Sequence, residues 1–364
     1  MASLPQVDPP PAGTVSSSRL ESVEVLRGLA AFAVMWFHFT LDTGNGISPL
    51  LAASGSYGWL GVSLFFVVSG FILPFAMHAG GYRFPEKLGT FVVKRLVRLE
   101  PPYLVSVLLA AGPVYLFSVA SGHPSPDPLQ TPERLFQHIG YLNGFFATPW
   151  VNPVYWSLAI EIQFYLLLAL LYPLFLGTAK TRAATLALFL VSAFLIPSDL
   201  LVFHWAPLFA IGIVTFWAGA GMLSARGYVI ALLASATAAI VTLGLDQAMA
   251  GTLGALFIRF VQMPRVAVLS FLGSISYSIY LLHIPVWKKV GQYLPPFSSP
   301  LGDQLINLVI VIAVTLAAAF VLHVTVERPC QRLSAKLRYR PRIDRTTGAP
   351  AELALSPVQA ETTR

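Results

Sequence analysis

"VYWSLAIEIQFYLLLALLYPLFL", Val154 to Leu176, runs for 23 residues with one charged side chain, Glu161. As a helix it covers ~35 Å, enough to cross the ~30 Å hydrocarbon layer of a bilayer. Similar blocks recur along the chain: 56% of its residues are hydrophobic and only 11% are charged. The sequence therefore predicts an all-α, polytopic integral membrane protein. Reading for apolar runs of about 20 residues gives ten helical segments, at 24–41, 60–78, 100–119, 155–176, 183–197, 201–222, 228–245, 247–262, 267–287 and 305–326.

Basic residues near short loops favour the cytoplasmic side. With the amino terminus inside, the cytoplasmic set holds Arg83, Lys87, Lys94, Arg95, Arg98, Lys180, Arg182, Arg226, Arg259, Arg265 and the basic stretch from Arg328 to Arg345. The opposite side holds Arg134, Lys288 and Lys289. An even number of spans then puts both termini in the cytoplasm. The formal charge of +7 reads as this topology signal plus contact with anionic lipid headgroups, not as a nucleic-acid surface. One cysteine, Cys330, excludes an intrachain disulfide, and the His and acidic residues lack metal-ligand spacing.

Residues 1–20, with Pro5, Pro9, Pro10, Pro11 and the Ser16–Ser18 run, predict a disordered lead without signal-peptide features. A membrane domain follows over 21–329, and residues 330–364 predict a basic, unstructured cytoplasmic tail. No soluble catalytic domain and no internal repeat is visible.

Ionisable groups at membrane depth are costly and face an interior or a water-filled cavity. Arg27 and His38, in "EVLRGLAAFAVMWFH", are eleven residues apart, three turns plus about 20°, so they share one helix face ~16 Å apart. Antiparallel running of the first and fourth segments makes Glu161 level with His38. His283, in "SYSIYLLHIPVW", lies near the outer end of the ninth segment, after Ser276, Tyr277 and Tyr280. Two readings stand for His283, packing residue or catalyst. Two also stand for Arg95 and Arg98 in "KRLVRLEPPYL": a positive-inside anchor, or a fork that grips phosphate.

The ordered motifs resemble the membrane acyltransferase-3 family, which includes O-antigen and exopolysaccharide acetylases, glucan succinyltransferases and macrolide acyltransferases. The resemblance covers about Glu21 to Pro329. It rests on the Arg27/His38 spacing, "GVSLFFVVSGFIL" from Gly61, Arg95-x-x-Arg98 with Pro101 and Tyr103, "YWSLAIEIQFYL" around Glu161, "SYSIYLLH" ending at His283, and "ERP" at Glu327 to Pro329. Ser63 departs from the pattern, because family members often carry an acidic residue there. The stand-alone form, without a fused SGNH domain, is the one resembled.

The resemblance implies a multi-pass enzyme of the inner (cytoplasmic) membrane. It would move an acyl group from cytoplasmic acyl-CoA, a co-substrate and not a tightly bound cofactor, to a hydroxyl of a carbohydrate or other acceptor. On this reading Arg27, Arg95 and Arg98 bind the donor phosphates, and His38 is the general base. Glu161 holds the His38 ring and stabilises the imidazolium. Trp156, Ser157, Tyr277, Tyr280 and His283 line the acceptor site or cavity. A small natural product is the other class of acceptor. The rival outside enzymes is a proton-coupled transporter relaying protons through His38 and Glu161; a scaffold that has kept the fold is the third reading.

Overall fold

A computed structural model describes residues 17–41, 46–121, 132–146, 148–295 and 299–339. The helices are α1 (Ser17–Leu41), α2 (Pro49–Gly55), α3 (Gly61–Gly80), α4 (Leu88–Ser121), α5 (Pro132–Gln137), α6 (Asn143–Phe146), α7 (Tyr155–Phe175) and α8 (Ala179–Leu195). They continue with α9 (Ala206–Gly219), α10 (Ala225–Leu243), α11 (Leu245–Phe260), α12 (Ala267–Ser274), α13 (Ser276–Gly291), α14 (Leu301–Leu322) and α15 (Arg328–Lys336).

The segments read from the sequence overlap helical stretches, and one of them, 267–287, is divided between α12 and α13. Among the described residues four helical stretches are, by length and composition, able to cross a bilayer: Pro49–Gly80, Tyr155–Phe175, Ala225–Leu243 and Leu301–Lys336. The pair α12 and α13, bent by 68° at Ile275, makes a fifth if it counts as one broken span. α9 is apolar but only 14 residues long. It sits in the centre of the bundle, where Leu208, Phe209, Ala210, Ile211, Ile213 and Val214 are fully buried. Conversely, α8, α10, α11 and α14 leave Leu188, Leu195, Ile230, Val241, Leu253 and Val309 exposed. An apolar outer surface of this kind suits contact with lipid tails.

Glycines set how closely the helices approach the site. A Cβ on Gly70 would lie 2.2 Å from the Phe209 carbonyl oxygen, and one on Gly212 would lie 2.1 Å from that of Val67, so α3 and α9 touch backbone to backbone. α1 is gripped twice. Near Arg27, a Cβ on Gly28 would meet the Gly273 nitrogen at 2.7 Å; further along, Cβ atoms on Gly58 and Gly61 would meet the carbonyls of Ala33 and Ala30 at 2.2 and 2.4 Å. Small residues replace side-chain contact with van der Waals packing of main chains, the form helix association takes where lipid supplies no hydrophobic drive. The clamps lie between Arg27 and His38 and fix the position of that part of α1.

Two expectations change. α4 begins at Leu88 rather than near residue 100, so Arg95 and Arg98 lie on the helix and not ahead of it. Part of the expected tail is folded: α15 continues α14 through a π-helical turn, His323–Glu327, and the chain remains placed to Tyr339. α15 is held to α4 because Ser334 Oγ donates to the Lys94 carbonyl at 2.9 Å and Lys94 Nζ donates to the Leu337 carbonyl at 3.1 Å. Tyr339 then packs edge-on to Tyr82. Similarly, α1 begins at Ser17, inside the expected disordered lead; residues 1–16 and 340–364 lie outside the described residues.

Candidate active site

Two cavities lie in the bundle. The inner one, about 140 Å³, is bounded by α1, α3, α4, α7, α13 and the π-turn. Its charged lining is Arg27 from α1, Arg95 and Arg98 from α4, Glu161 from α7, and Glu327. The three-residue spacing on α4 places both arginines on one face. Among the described residues no carboxylate forms an ion pair with any of the three guanidiniums. The Arg95 guanidinium lies over the Tyr165 ring, 4.9 Å from its centroid, and its buried Nε has no hydrogen-bond partner. Half-buried cations without a carboxylate partner are costly, and an anion that enters lowers the cost.

The two carboxylates are engaged elsewhere. Ser69 and Tyr165 both donate to Glu161 Oε1. Tyr165 is four residues after Glu161 on the same helix face, and Ser69 comes from "VVSGF" in α3. Glu327, only 2% exposed, accepts from Ser278 Oγ at 2.6 Å and Gln331 Nε2 at 2.8 Å, and pairs with His323 Nδ1 at 3.0 Å. The extra residue of the π-turn turns Glu327 into the cavity at the end of a lipid-facing helix, a use of π-bulges common at functional sites.

The outer cavity, about 180 Å³, has a different lining. His38 belongs to it, together with Ser63, Gln247, Trp59, Trp156 and Trp205, and among the described residues no Asp, Glu, Lys or Arg lines it. Trp156 and Trp205 face each other with centroids 5.0 Å apart, and the Trp205 indole donates to the Asp199 carbonyl at 3.0 Å. Ser63 Oγ donates to Gln247 Oε1 at 3.4 Å.

One residue, Tyr280, lines both cavities. Its hydroxyl is 2.6 Å from Ser157 Oγ and 3.2 Å from the Val154 carbonyl, and Phe65 packs edge-on against its ring at 5.5 Å. Tyr280 and Ser157 thus form the polar part of the wall between the two spaces.

The residues expected from the sequence are therefore distributed as follows. Arg27, Arg95, Arg98, Glu161, Ser157 and Tyr277 line the inner cavity, His38 and Trp156 the outer one, and Tyr280 both. Glu161 does not hold the His38 ring, because its hydrogen bonds come from Ser69 and Tyr165 on the inner side. The His38 ring lies beside those of Phe37 and His283, with centroids 5.0 and 5.3 Å away. His283 is fully buried and lines neither cavity; its Nδ1–H donates to the Ile279 carbonyl at 3.1 Å, and its Nε2 has no hydrogen-bond partner.

Sequence reasoning did not assign roles to Ser69, Tyr165, Glu327, Gln247, Trp59 or Trp205. The i,i+4 spacing from Glu161 was the available signal for Tyr165, and a carboxylate ending a long apolar helix was the signal for Glu327. Nothing local marked Gln247 or the two tryptophans, which are brought in by tertiary packing alone.

The chain resembles known proteins over the same region that builds these cavities. The acyltransferase-domain family matches residues 20–324. The acyltransferase MdmB of Streptomyces mycarofaciens is 26% identical over 375 residues, covering 88% of this chain and 94% of MdmB. The O-acetyltransferase OatA of Staphylococcus aureus is 32% identical over 182 residues, 46% of this chain and 27% of OatA. A putative membrane-bound transacylase, BcsY of Komagataeibacter xylinus, is 30% identical over 188 residues, 48% of this chain and 43% of BcsY. No solved structure matches the chain. With the family match spanning most of the sequence and all of the cavity-forming helices up to α14, the protein belongs to the membrane acyltransferase-3 family and is an O-acyltransferase.

Proposed function

We propose that the protein moves an acyl group, acetyl in the simplest case, from cytoplasmic acyl-CoA to a hydroxyl of a carbohydrate or other hydroxyl compound. The observation that carries this reading is the division of α1 between two cavities, unpaired guanidiniums at Arg27 and a titratable ring at His38. The donor phosphates bind Arg27, Arg95 and Arg98, which as forked donors suit phosphate oxygens. From there the pantetheine arm extends along α1. Fully extended, that arm matches about four extended residues in length, ~14 Å, against ~16 Å of helix between Arg27 and His38. The thioester then lies at Tyr280, where the cavities meet.

Transfer is direct. His38 takes the proton of the acceptor hydroxyl as the oxygen attacks the thioester carbon. The new C–O bond forms, the C–S bond breaks, and the coenzyme A thiolate takes the proton back from the imidazolium. Glu161 acts on the donor side, holding Ser69 and Tyr165 beneath the Arg95 guanidinium, so its role is to shape the phosphate site and not to steer the base. The basic residues put the arginine cavity towards the cytoplasm, with both termini on that side, ten membrane-embedded helices and residence in the cytoplasmic membrane.

The test uses the purified chain in lipid nanodiscs. Acceptor-dependent release of free coenzyme A thiol from acetyl-CoA is expected, and His38→Ala abolishes it while keeping donor binding. Donor binding lost together with turnover in a folded His38→Ala protein refutes the assignment. Mass spectrometry of surface glycans and small metabolites, with and without the protein, identifies the acyl group and its acceptor by mass shift.

A further inference from the structure

We infer that the Tyr280 hydroxyl, held by Ser157, is the oxyanion donor of acyl transfer, bonding to the carbonyl oxygen of the thioester as negative charge builds on it. The inference rests on the acyl-transfer reading for the identity of the reacting group, and on the wall between the two cavities for the donor.

Position singles out this residue. Tyr280 lines both the arginine cavity and the His38 cavity. A thioester whose phosphates lie at the arginines, and whose attacker loses its proton to His38, reacts at the wall between them. The tyrosine is only 4% exposed; Phe65 packs edge-on against its ring at 5.5 Å, and the His283 ring lies tilted to it at 5.8 Å. His283 in turn stands 5.3 Å from His38. The hydroxyl is thus carried on a packed ring, and a donor fixed in advance costs no reorganisation at the moment of reaction.

The hydrogen bonds single out the same group. Six hydroxyl side chains line the inner cavity. Ser69 and Tyr165 donate to Glu161, Ser276 donates to the Gly273 carbonyl at 2.8 Å, and Tyr277 to the Leu99 carbonyl at 2.9 Å. Those four are committed to acceptors of the protein itself. Ser157 and Tyr280 share their bonds instead: their oxygens are 2.6 Å apart, and the Val154 carbonyl is 3.1 Å from Ser157 Oγ and 3.2 Å from the Tyr280 hydroxyl. A hydroxyl offers one rotatable hydrogen and two lone pairs. When Ser157 donates to the Tyr280 oxygen, the tyrosine hydrogen is left to bond the Val154 carbonyl over 3.2 Å, or to turn to a thioester oxygen that arrives. The bond received from Ser157 polarises the tyrosine O–H and strengthens the bond it gives. Ser157 also lies in the first turn of α7, the end of a helix that favours negative charge.

In the reaction the acceptor oxygen adds to the thioester carbon, and the C=O electron pair moves onto the carbonyl oxygen. That oxygen accepts the Tyr280 hydrogen bond without taking its proton. Collapse restores the C=O bond and expels the coenzyme A thiolate, which takes the proton from the His38 imidazolium, so Tyr280 ends as it began. Tyr280 touches the reacting atoms and is catalytic; Ser157 acts through it and is a positioning residue.

The experiment compares the full chain in nanodiscs with Tyr280→Phe, Ser157→Ala and the double variant. Phe keeps the packed ring, and Ser157 keeps its bond to the Val154 carbonyl, so no polar group is orphaned. Thiol release from acetyl-CoA is followed with methyl glucoside, or water alone, as the attacking hydroxyl. In Tyr280→Phe kcat is expected to fall about 10²–10³-fold, while acetyl-CoA KM and coenzyme A affinity stay within about twofold, which also reports that the variant is folded. Ser157→Ala falls less, and the double variant is no slower than Tyr280→Phe alone, because the serine works through the tyrosine. Infrared spectra of bound acetyl-CoA, labelled with carbon-13 at the carbonyl, should place the carbonyl stretch higher in Tyr280→Phe than in wild type, since one hydrogen bond to that oxygen is gone. A folded Tyr280→Phe protein with kcat within about threefold of wild type, a loss confined to KM, or an unmoved carbonyl band each overturns the inference and leaves the acyl-transfer reading intact. Wild-type protein that neither binds acetyl-CoA nor releases thiol removes that reading, and the role of Tyr280 with it.

Discussion

Replacing Arg98 by Gln tests the donor site most directly. Arg98 shares a helix face with Arg95 and lines the inner cavity with Arg27. No described carboxylate is paired with it, so its removal leaves no orphaned partner inside the protein. The loss is then close to the value of the guanidinium–phosphate contact itself. Hydrogen bonds to charged groups contribute about 1.5–3 kcal/mol, which corresponds to a ~10- to 150-fold rise in the dissociation constant for acetyl-CoA. Gln keeps a donor and much of the stem, which makes a folding defect less severe than with Ala. The assay is calorimetric titration of coenzyme A into the nanodisc protein at two salt concentrations. Wild-type binding should weaken with salt, and the Arg98→Gln slope should be shallower because one ionic contact is gone. A variant that binds within twofold of wild type, with the same salt slope, refutes the phosphate site and leaves Arg98 a topology anchor.

Other outcomes follow from the same geometry. His38→Ala should lose about 10²–10⁴ in turnover with donor affinity retained, read from thiol release and coenzyme A titration in parallel. Glu161→Gln should raise the donor KM more than it lowers kcat, since its partners Ser69 and Tyr165 lie on the arginine side; a pure kcat effect would return it to the base. Gly212→Ala should destabilise by about 1–3 kcal/mol, measured by thermal unfolding, because the added methyl meets the Val67 carbonyl at 2.1 Å. A membrane-impermeant maleimide should label the single cysteine, Cys330, in inside-out vesicles and leave it unlabelled in intact cells with a permeable outer barrier; the opposite pattern reverses the orientation.

The parts of this structure that were legible in the sequence are those carried by periodicity and cost. Apolar length gave the all-helical, apolar architecture, and the expense of charge in lipid singled out Arg27, His38 and Glu161, which line the two cavities. Helix geometry put Arg27 and His38 on one helix three turns apart, and in the structure the first lines the inner cavity and the second the outer one. Depth was the weaker inference. Counting residues from helix ends made Glu161 level with His38, but level is not contact, and the rotation of α7 turns the carboxylate towards Ser69. The start of α4 was misread because Lys94, Arg95 and Arg98 break the apolar run without breaking the helix. The outer cavity was illegible for another reason: Trp59, Trp156, Trp205 and Gln247 come from four separate stretches, and no local pattern links them.

The partnering of the two inner carboxylates bears on turnover. Three arginines and two glutamates give the inner cavity a formal charge of +1. Had either glutamate paired with an arginine, the phosphate would have to break an ion pair to bind. Instead Glu161 is occupied by two hydroxyls, and Glu327 by a hydroxyl, an amide and His323. The guanidiniums keep their N–H groups for the ligand while the carboxylates moderate the field around them. An arginine cradle without the Glu327 carboxylate, whose partners lie off the arginines, would hold an anion more tightly, and the donor and its product carry the same phosphates. Tighter binding of both forms would lower the donor KM without raising kcat and would slow release of free coenzyme A. The arrangement therefore favours exchange, and a Glu327→Gln protein that binds coenzyme A more tightly while turning over more slowly is the behaviour it requires.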